Sequence, residues 1–226
     1  MENQSQNIIE INHLTKRFKE ETVLDDVSIS FERGLIHGII GRNGSGKTMM
    51  FKCICGFIPP TDGEILVDGR QIGKDIDVPD NVGIIIESPG FLPNYDGFHN
   101  LKFLADIRGT ITDDDIRGAI RLAGLDPFSK KHVGKYSLGM RQRLGIAQAI
   151  MENPDLLILD EPFNALDISG VEEMRQLLLK LKGQGKTILS PVIPKRTWIS
   201  FAILSSEWIR AKSLREATSK ATMNLL

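Results

Sequence analysis

Apolar and polar positions change rhythm several times along this chain. Near the N-terminus two runs read as strands, Ile8-Ile9-Glu10-Ile11 and Val23-Leu24 through Val27-Ser28-Ile29-Ser30-Phe31. The second alternates with the period of two of a half-buried strand. Leu35-Ile36-His37-Gly38-Ile39-Ile40 is a short apolar run that ends in a glycine-rich turn, followed by helical spacing and a turn at Pro59-Pro60-Thr61-Asp62-Gly63. Val82-Gly83-Ile84-Ile85-Ile86 is the next apolar run, stopped by Glu87-Ser88-Pro89-Gly90. From about residue 98 to 151 the spacing turns helical, and Asp113-Asp114-Asp115 reads as the acidic first turn of a helix. Leu156-Leu157-Ile158-Leu159 is apolar on consecutive positions, as a strand buried in a parallel sheet must be. A helix over about 171–182 and the run Thr187-Ile188-Leu189 complete the pattern. This alternation predicts an α/β fold with a mostly helical block inserted between residues 89 and 151.

Composition narrows the class. The 226 residues are 41% hydrophobic and 25% charged, with a net charge of −1. These values fit a globular domain and exclude a strongly basic nucleic-acid binder, so no nucleic-acid partner is expected. No apolar run approaches the ~18 residues needed to span a bilayer, so no transmembrane segment is expected in this chain. The opening Met-Glu-Asn-Gln-Ser-Gln-Asn lacks the basic and apolar regions of a secretory signal. Cys53 and Cys55 do not make a disulfide framework; on a helix they point to nearly opposite faces and read as small apolar fillers. The cytosol is the simplest compartment.

Gly41-Arg42-Asn43-Gly44-Ser45-Gly46-Lys47-Thr48 fits the phosphate-loop spacing, after a predicted buried strand and before a predicted helix. Glycines at Gly41, Gly44 and Gly46 let successive backbone N–H groups, those of Asn43 and Ser45 among them, curl around phosphate oxygens, and the helix dipole adds to the pull. Lys47 would reach the β- and γ-phosphates, and the Thr48 hydroxyl would ligate Mg²⁺. A glycine turn with an incidental lysine is the bland alternative, and the flanking strand and helix argue against it.

Leu156 to Leu159 deliver Asp160 and Glu161 to the carboxyl end of a strand, where open α/β sheets bind ligands. Asp160 suits the shell of a Mg²⁺ ion, and Glu161, aimed elsewhere, would polarise an attacking water. Without the phosphate loop the same pair would read as a helix cap and a surface acid.

A third motif, Tyr136-Ser137-Leu138-Gly139-Met140-Arg141-Gln142-Arg143, precedes Asp160. It resembles the signature of the ATPase subunits of ABC transporters, and its Leu-Gly-Met variant resembles the subgroup that exports bacitracin- and lantibiotic-type peptides. The resemblance runs from about residue 7 to 190. It implies a phosphate-loop core with a mixed sheet over 1–88 and 152–190, and a helical signature subdomain over 89–151. It also implies ATP and Mg²⁺ as ligands, a head-to-tail dimer with a second ATPase subunit, and a separate membrane permease that places the protein peripherally on the inner face of the cell membrane. Ser137 and the Gly139 backbone would then cap the partner's γ-phosphate, which is also what a helix N-cap does. Phe18 aligns with the aromatic residue on which adenine stacks, although a lone Phe after a strand serves equally as core. Asn164-Ala165-Leu166-Asp167 resembles the loop that crosses the dimer interface. The surface of Gly90-Phe91-Leu92-Pro93-Asn94-Tyr95 resembles the one that receives a permease helix, and a plain packed loop fits it nearly as well.

Two departures stand out. Glu87 occupies the position where most of the family has a glutamine touching Mg²⁺ and the water, as the peptide-exporter subgroup does. The family also places a histidine after the strand ending at Ser190, whereas this chain continues Pro191-Val192-Ile193-Pro194, and His13, His37, His99 and His132 all lie upstream of Asp160. Residues 191–226 hold both tryptophans and a net charge of +4, against −5 for residues 1–190. A change of reading frame accounts for all of this. Trp has the single codon TGG and every Ile codon begins AT, so Trp198-Ile199 and Trp208-Ile209 each become aspartate in the shifted frame, and Val192-Ile193 is compatible with histidine. The tail 191–226 is therefore read as frameshifted, with ATP binding kept and turnover impaired by ~10²–10³, the usual cost of one lost transition-state contact. The alternative is a truncated variant whose tail has its own fold, since Leu204, Trp208, Ala211 and Arg215 stand at helical spacing. Two other functional readings compete: an ABC-type ATPase that serves no transporter, and a non-catalytic relic that binds ATP.

Overall fold

The computed structural model describes residues 6–87 and 89–192. Of the tail 191–226 read as frameshifted, residues 193–226, with the candidate helix spanning 204–215, lie outside the described residues. Two compact units divide the chain, one built on the residues up to Asp80 and one on Asn81–Ser190.

In the first unit β1 (Asn7–Phe18) and β2 (Glu21–Glu32) form a long antiparallel hairpin, joined on the other side of β1 by β4 (Asp62–Val67) and then β5 (Arg70–Gln71). Both hairpin strands outrun the predicted apolar runs, because polar residues at bulges interrupt the alternation without ending the pairing. His13 and Asp26 take φ of 54° and 51° where the register slips, and side-chain hydroxyls take over as partners of the backbone. His13 N–H donates to Ser28 Oγ at 2.9 Å, and Asp26 N–H to Thr15 Oγ1 at 3.1 Å. One face of the sheet carries Ile9, Ile11, Leu14, Leu24, Phe31 and Ile65, all buried. After β3 (Ile36–Ile40), α1 (Lys47–Ile54) buries Met50, Phe51, Cys53 and Ile54. Burial pushes the thiols of Cys53 and Cys55 up to about 11 and about 12, so both remain neutral fillers, as read from the sequence. The strands β4 and β5 were not legible: Ile65-Leu66-Val67 is too short a run to announce a strand.

The second unit holds three parallel strands, β6 (Val82–Ile85), β7 (Leu156–Leu159) and β8 (Thr187–Val192). β7 lies between the other two and all four of its residues are buried, which is why its sequence is apolar without alternation. β8 runs past the predicted Thr187–Leu189 into Pro191 and Val192. The helical block resolves into α2 (Gly97–Arg108), α3 (Asp113–Leu122), a 3₁₀ turn at Val133–Lys135 and α4 (Leu138–Ile150). Thr112 and Asp115 form a reciprocal capping box at the acidic first turn of α3. α5 (Ile168–Gly183) starts three residues before its predicted position; Ile168 is 92% exposed and so breaks the apolar pattern on which that prediction rested.

Candidate functional site

The glycine-rich loop of the first unit leaves the buried strand β3 and enters α1. Gly44 and Gly46 have φ of 78° and 90°, a region that costs other residues ~1–2 kcal/mol. At Gly46 the need is also steric, since a Cβ there would lie 2.8 Å from Leu24 Cδ2 and 2.9 Å from the Val23 carbonyl. A Cβ at Gly41 would lie 2.5 Å from Ser45 Oγ. The turn is closed by Ser45 N–H donating to the Arg42 carbonyl at 3.1 Å. The Lys47 ammonium folds back under the loop and donates to the Gly41 and Arg42 carbonyls at 2.7 and 3.0 Å. Asn43 is exposed and Thr48 stands in the first turn of α1.

This loop fits a phosphate. Among the described residues no side chain caps α1, and no acid stands in its first turn, so its positive end faces the loop. Among the described residues Ser45 Oγ is buried without a hydrogen-bond partner, a state that costs ~1–3 kcal/mol unless an incoming group satisfies it. Phe18, at the end of β1, is 43% exposed, and the Lys16 ammonium lies 4.9 Å from its ring centroid; it is not core.

In the second unit three acids sit just past neighbouring parallel strands. Asp160 follows β7, is 8% exposed, and its N–H donates to the Ile85 carbonyl at 2.7 Å, extending the ladder by one residue. Glu161 then turns the chain out of the sheet with φ of 52°, and Glu87, after β6, has φ of 64°. Neither is glycine, so each holds strain of the kind that clusters at functional sites. The Glu161 carboxylate accepts from Asn164 Nδ2, and its carbonyl accepts from Gln142 Nε2 at 3.3 Å. Among the described residues no three His, Cys, Asp or Glu side chains gather to hold a metal by themselves. The hydroxyl of Thr48 and the carboxylates of Asp160 and Glu87 are hard oxygen donors, the type Mg²⁺ takes when phosphates and water complete its shell.

Ser137 is the N-cap of α4, its Oγ accepting from Met140 N–H at 3.2 Å. The start of α4 presses on the loop after Glu161, for a Cβ at Gly139 would lie 3.0 Å from the Ala165 carbonyl. Asp167 caps α5, and the Gly170 N–H it accepts holds its carboxyl below the ordinary carboxylate range. On α2 and the loop before it, Leu92, Tyr95, Phe103, Leu104 and Ile107 are all exposed, Ile107 at 80%. The rings of Tyr95 and Phe103 meet edge to face at 5.0 Å.

Sequence reasoning missed the residues that hold these loops. Asn100, 5% exposed, fixes the loop at Leu92–Asp96: its Oδ1 accepts from Leu92 N–H at 2.7 Å, and its Nδ2 donates to the Leu92 and Asp96 carbonyls at 3.1 and 2.9 Å. An amide on the apolar face of a predicted helix was the available signal. Gln142 offered none, because its contact spans nineteen residues.

Comparison with known proteins places this geometry. Residues 24–164 match the family described as ABC transporter. The chain is 48% identical over 200 residues to YybJ of Bacillus subtilis (strain 168), described as an uncharacterized ABC transporter ATP-binding protein, covering 88% of this chain and 92% of that one. It is 42% identical to the bacitracin transport ATP-binding protein BcrA of Enterococcus faecalis, over 80% of this chain, and spans about three fifths (59%) of that relative's length. It is 34% identical to the lantibiotic transport ATP-binding protein SrtF of Streptococcus pyogenes, over 80% of this chain and 78% of that one. Among solved structures it is similar to the ATP-binding cassette MJ0796 in a dimeric, post-hydrolysis state bound to ADP and Pi. That match has a TM-score of 0.75 and 25% identity, and covers 86% of this chain and 91% of that one.

Proposed function

Because the chain belongs to the ABC transporter family of ATP-binding proteins, we propose that it is the ATPase partner of a separate membrane permease that exports a peptide antibiotic or related compound. The observation that carries the reading is the phosphate loop: glycines at positive φ, a lysine folded beneath the loop and, among the described residues, an α1 N-terminus without a side-chain cap and a buried serine hydroxyl without a partner. The names of the bacitracin and lantibiotic relatives, and the Leu-Gly-Met variant of the signature, support the peptide class. The exposed apolar strip over Leu92, Tyr95, Phe103 and Ile107 supports a permease contact, and favours the transport reading over an ATPase that serves no transporter. The protein then works peripherally at the inner face of the membrane. No helix among the described residues is long and apolar enough to cross it.

The roles follow from chemistry. The loop amides from Gly41 to Thr48, with Asn43 and Ser45 among them, hold the phosphates, and the Lys47 charge offsets theirs. Phe18 offers its open ring face to adenine. Thr48, Asp160 and Glu87 would hold Mg²⁺, which would supply positive charge against the charge developing on the phosphates. Glu161 accepts a hydrogen bond from the attacking water and turns a lone pair toward phosphorus. Ser137 and the N–H groups at Gly139 present a second helix N-terminus to the γ-phosphate held by a partner subunit. We assign 1–88 and 152–190 to the nucleotide-binding core and 89–151 to the signature subdomain. After Ser190 the chain continues Pro191-Val192-Ile193-Pro194, where the family resemblance leads one to expect a histidine, and we infer that the chain keeps ATP binding and turns ATP over slowly.

The test is direct. Purified chain is titrated with a fluorescent ATP analogue and followed for phosphate release, alone and with a co-expressed permease. Binding with slow release supports the proposal, and absence of nucleotide binding contradicts it. A DNA read through codons 185–200 tests the tail: an added or missing base means a longer native protein with its histidine, and an unchanged read means this chain is what the cell makes.

A further inference from the structure

Glu161 is gripped at both ends of its own residue. Its carboxylate accepts from Asn164 Nδ2, and its carbonyl accepts both the Asn164 N–H at 3.1 Å and Gln142 Nε2 at 3.3 Å. Gln142 belongs to α4, five positions after the Ser137 cap. The first turns of α4 also meet the loop at Gly139 and the neighbouring helix at Arg143. Gly139 comes so near that a Cβ there would lie 3.0 Å from the Ala165 carbonyl and 3.7 Å from Leu166 Cδ2. Arg143 reaches across to α5, pairing with Glu173 at 2.8 Å and to the Ala123 carbonyl at 3.1 Å. The start of α4, the loop 161–167 and the start of α5 are thus packed as one piece, and within it Glu161 and Ala165 hold φ of 52° and 63°.

We propose that Asn164 and Gln142 are positioning residues for Glu161. Asn164 fixes the direction of the carboxylate, and Gln142 ties its main chain to the start of α4, so that a group seated on Ser137 and Gly139 also sets the aim of Glu161. This rests on the reading of Glu161 as the group that polarises water. Both Glu161 and Asn164 are exposed, where a polar pair contributes little to stability. The value of the contact lies in orientation: a glutamate side chain free to sample its rotamers must be frozen at each turnover, and one already held need not be. Glu161 accepts and Asn164 donates, so the bond leaves the second carboxylate oxygen for water.

The experiment is single-turnover hydrolysis of Mg-ATP by the full chain, with nucleotide affinity measured alongside. Asn164→Leu, of similar size without the amide, is expected to slow hydrolysis about 10-fold at unchanged affinity. Asn164→Asp, which sets a second carboxylate against the first, slows it further. Gln142→Leu gives a several-fold loss that Gln142→Lys, which returns an N–H donor, largely restores. In a Glu161→Gln background Asn164→Leu changes the residual rate less than twofold, because a residue acting through Glu161 has nothing left to position. Wild-type speed in Asn164→Leu, or an equal 10-fold loss in both backgrounds, overturns the proposal. Full activity in Glu161→Gln alone instead overturns the reading of Glu161, and the positioning role falls with it. A readout independent of turnover is the side-chain amide NMR signal of Asn164, identified by its loss in Asn164→Leu. It is expected to shift in Glu161→Gln, and an unmoved signal overturns the contact.

Discussion

The loop after β3 and the loop after β7 are built from opposite materials. The first bends through glycines, with Gly44 and Gly46 at positive φ, and offers its ligand backbone N–H groups. The second bends through Glu161 and Ala165, neither of them glycine, and is held by side chains: Gln142 from α4, Asn164 from within the loop, and Asp167 at its end, capping α5. A backbone site needs only local freedom, whereas an aimed carboxylate needs a scaffold. On the proposed function, binding belongs to the first loop and chemistry to the second, so each is expected to be breakable without the other.

The largest effect falls on the second loop. Glu161→Gln is expected to lower the hydrolysis rate ~10²–10³-fold, measured as phosphate release at saturating ATP, with melting temperature unchanged. A loss under fivefold would remove Glu161 from the chemistry. On the first loop, Gly46→Val forces a β-branched residue to φ 90° against Leu24 and the Val23 carbonyl. Ligand titration is expected to show at least a tenfold loss of ATP affinity, from the αL cost of ~1–2 kcal/mol and the steric clash combined. Near-normal affinity would mean that the loop reshapes freely.

Ser137 sharpens the contrast because it serves both stability and, on this account, catalysis. Ser137→Ala is expected to cost ~1 kcal/mol of stability through the lost cap, read as a melting shift of about 2–4 °C. Ser137→Asp keeps the cap but sets a negative charge where a phosphate is to sit, so stability holds and turnover falls. Equal turnover in Ser137→Asp and wild type would separate the signature from the reaction.

The smallest effect is pH-dependent. Burial pushes the Asp96 carboxyl up, but hydrogen bonds from the His99 backbone and ring, with Lys130 nearby, outweigh it and leave it below its ordinary value. A depressed carboxyl contributes stability above the unfolded carboxylate range and loses it as pH falls through the lowered value. Asp96→Asn retains a capping group at the start of α2 and removes the charge. It is expected to melt about 2–4 °C lower than wild type at pH 7, for ~1 kcal/mol, with the gap closing below about pH 4. A gap that persists in acid would assign the effect to packing.

The same contrast explains what was legible beforehand. The glycine loop declared itself because its chemistry is written in consecutive residues, and β7 because a strand buried on both faces must be apolar throughout. Ser137 was legible as a cap and Asp113–Asp115 as a first turn, both local features. The long hairpin was read short because His13 and Asp26 pair through bulges, and α5 was read late because Ile168 faces solvent. Asn100 showed only as an amide on an apolar helix face, and Gln142 was silent, since an amide has no sequence signature for a partner that only folding brings near.

The most direct test of the account is a side-by-side calorimetric titration with Mg-ATP of wild type, Lys47→Ala and Glu161→Gln, with phosphate release followed in parallel. The account predicts that Lys47→Ala loses ~10–100-fold in affinity, the worth of a charge-assisted contact, while Glu161→Gln binds as wild type and fails to hydrolyse. Wild-type affinity in Lys47→Ala, or lost affinity in Glu161→Gln, would contradict the division of binding and chemistry between the two loops.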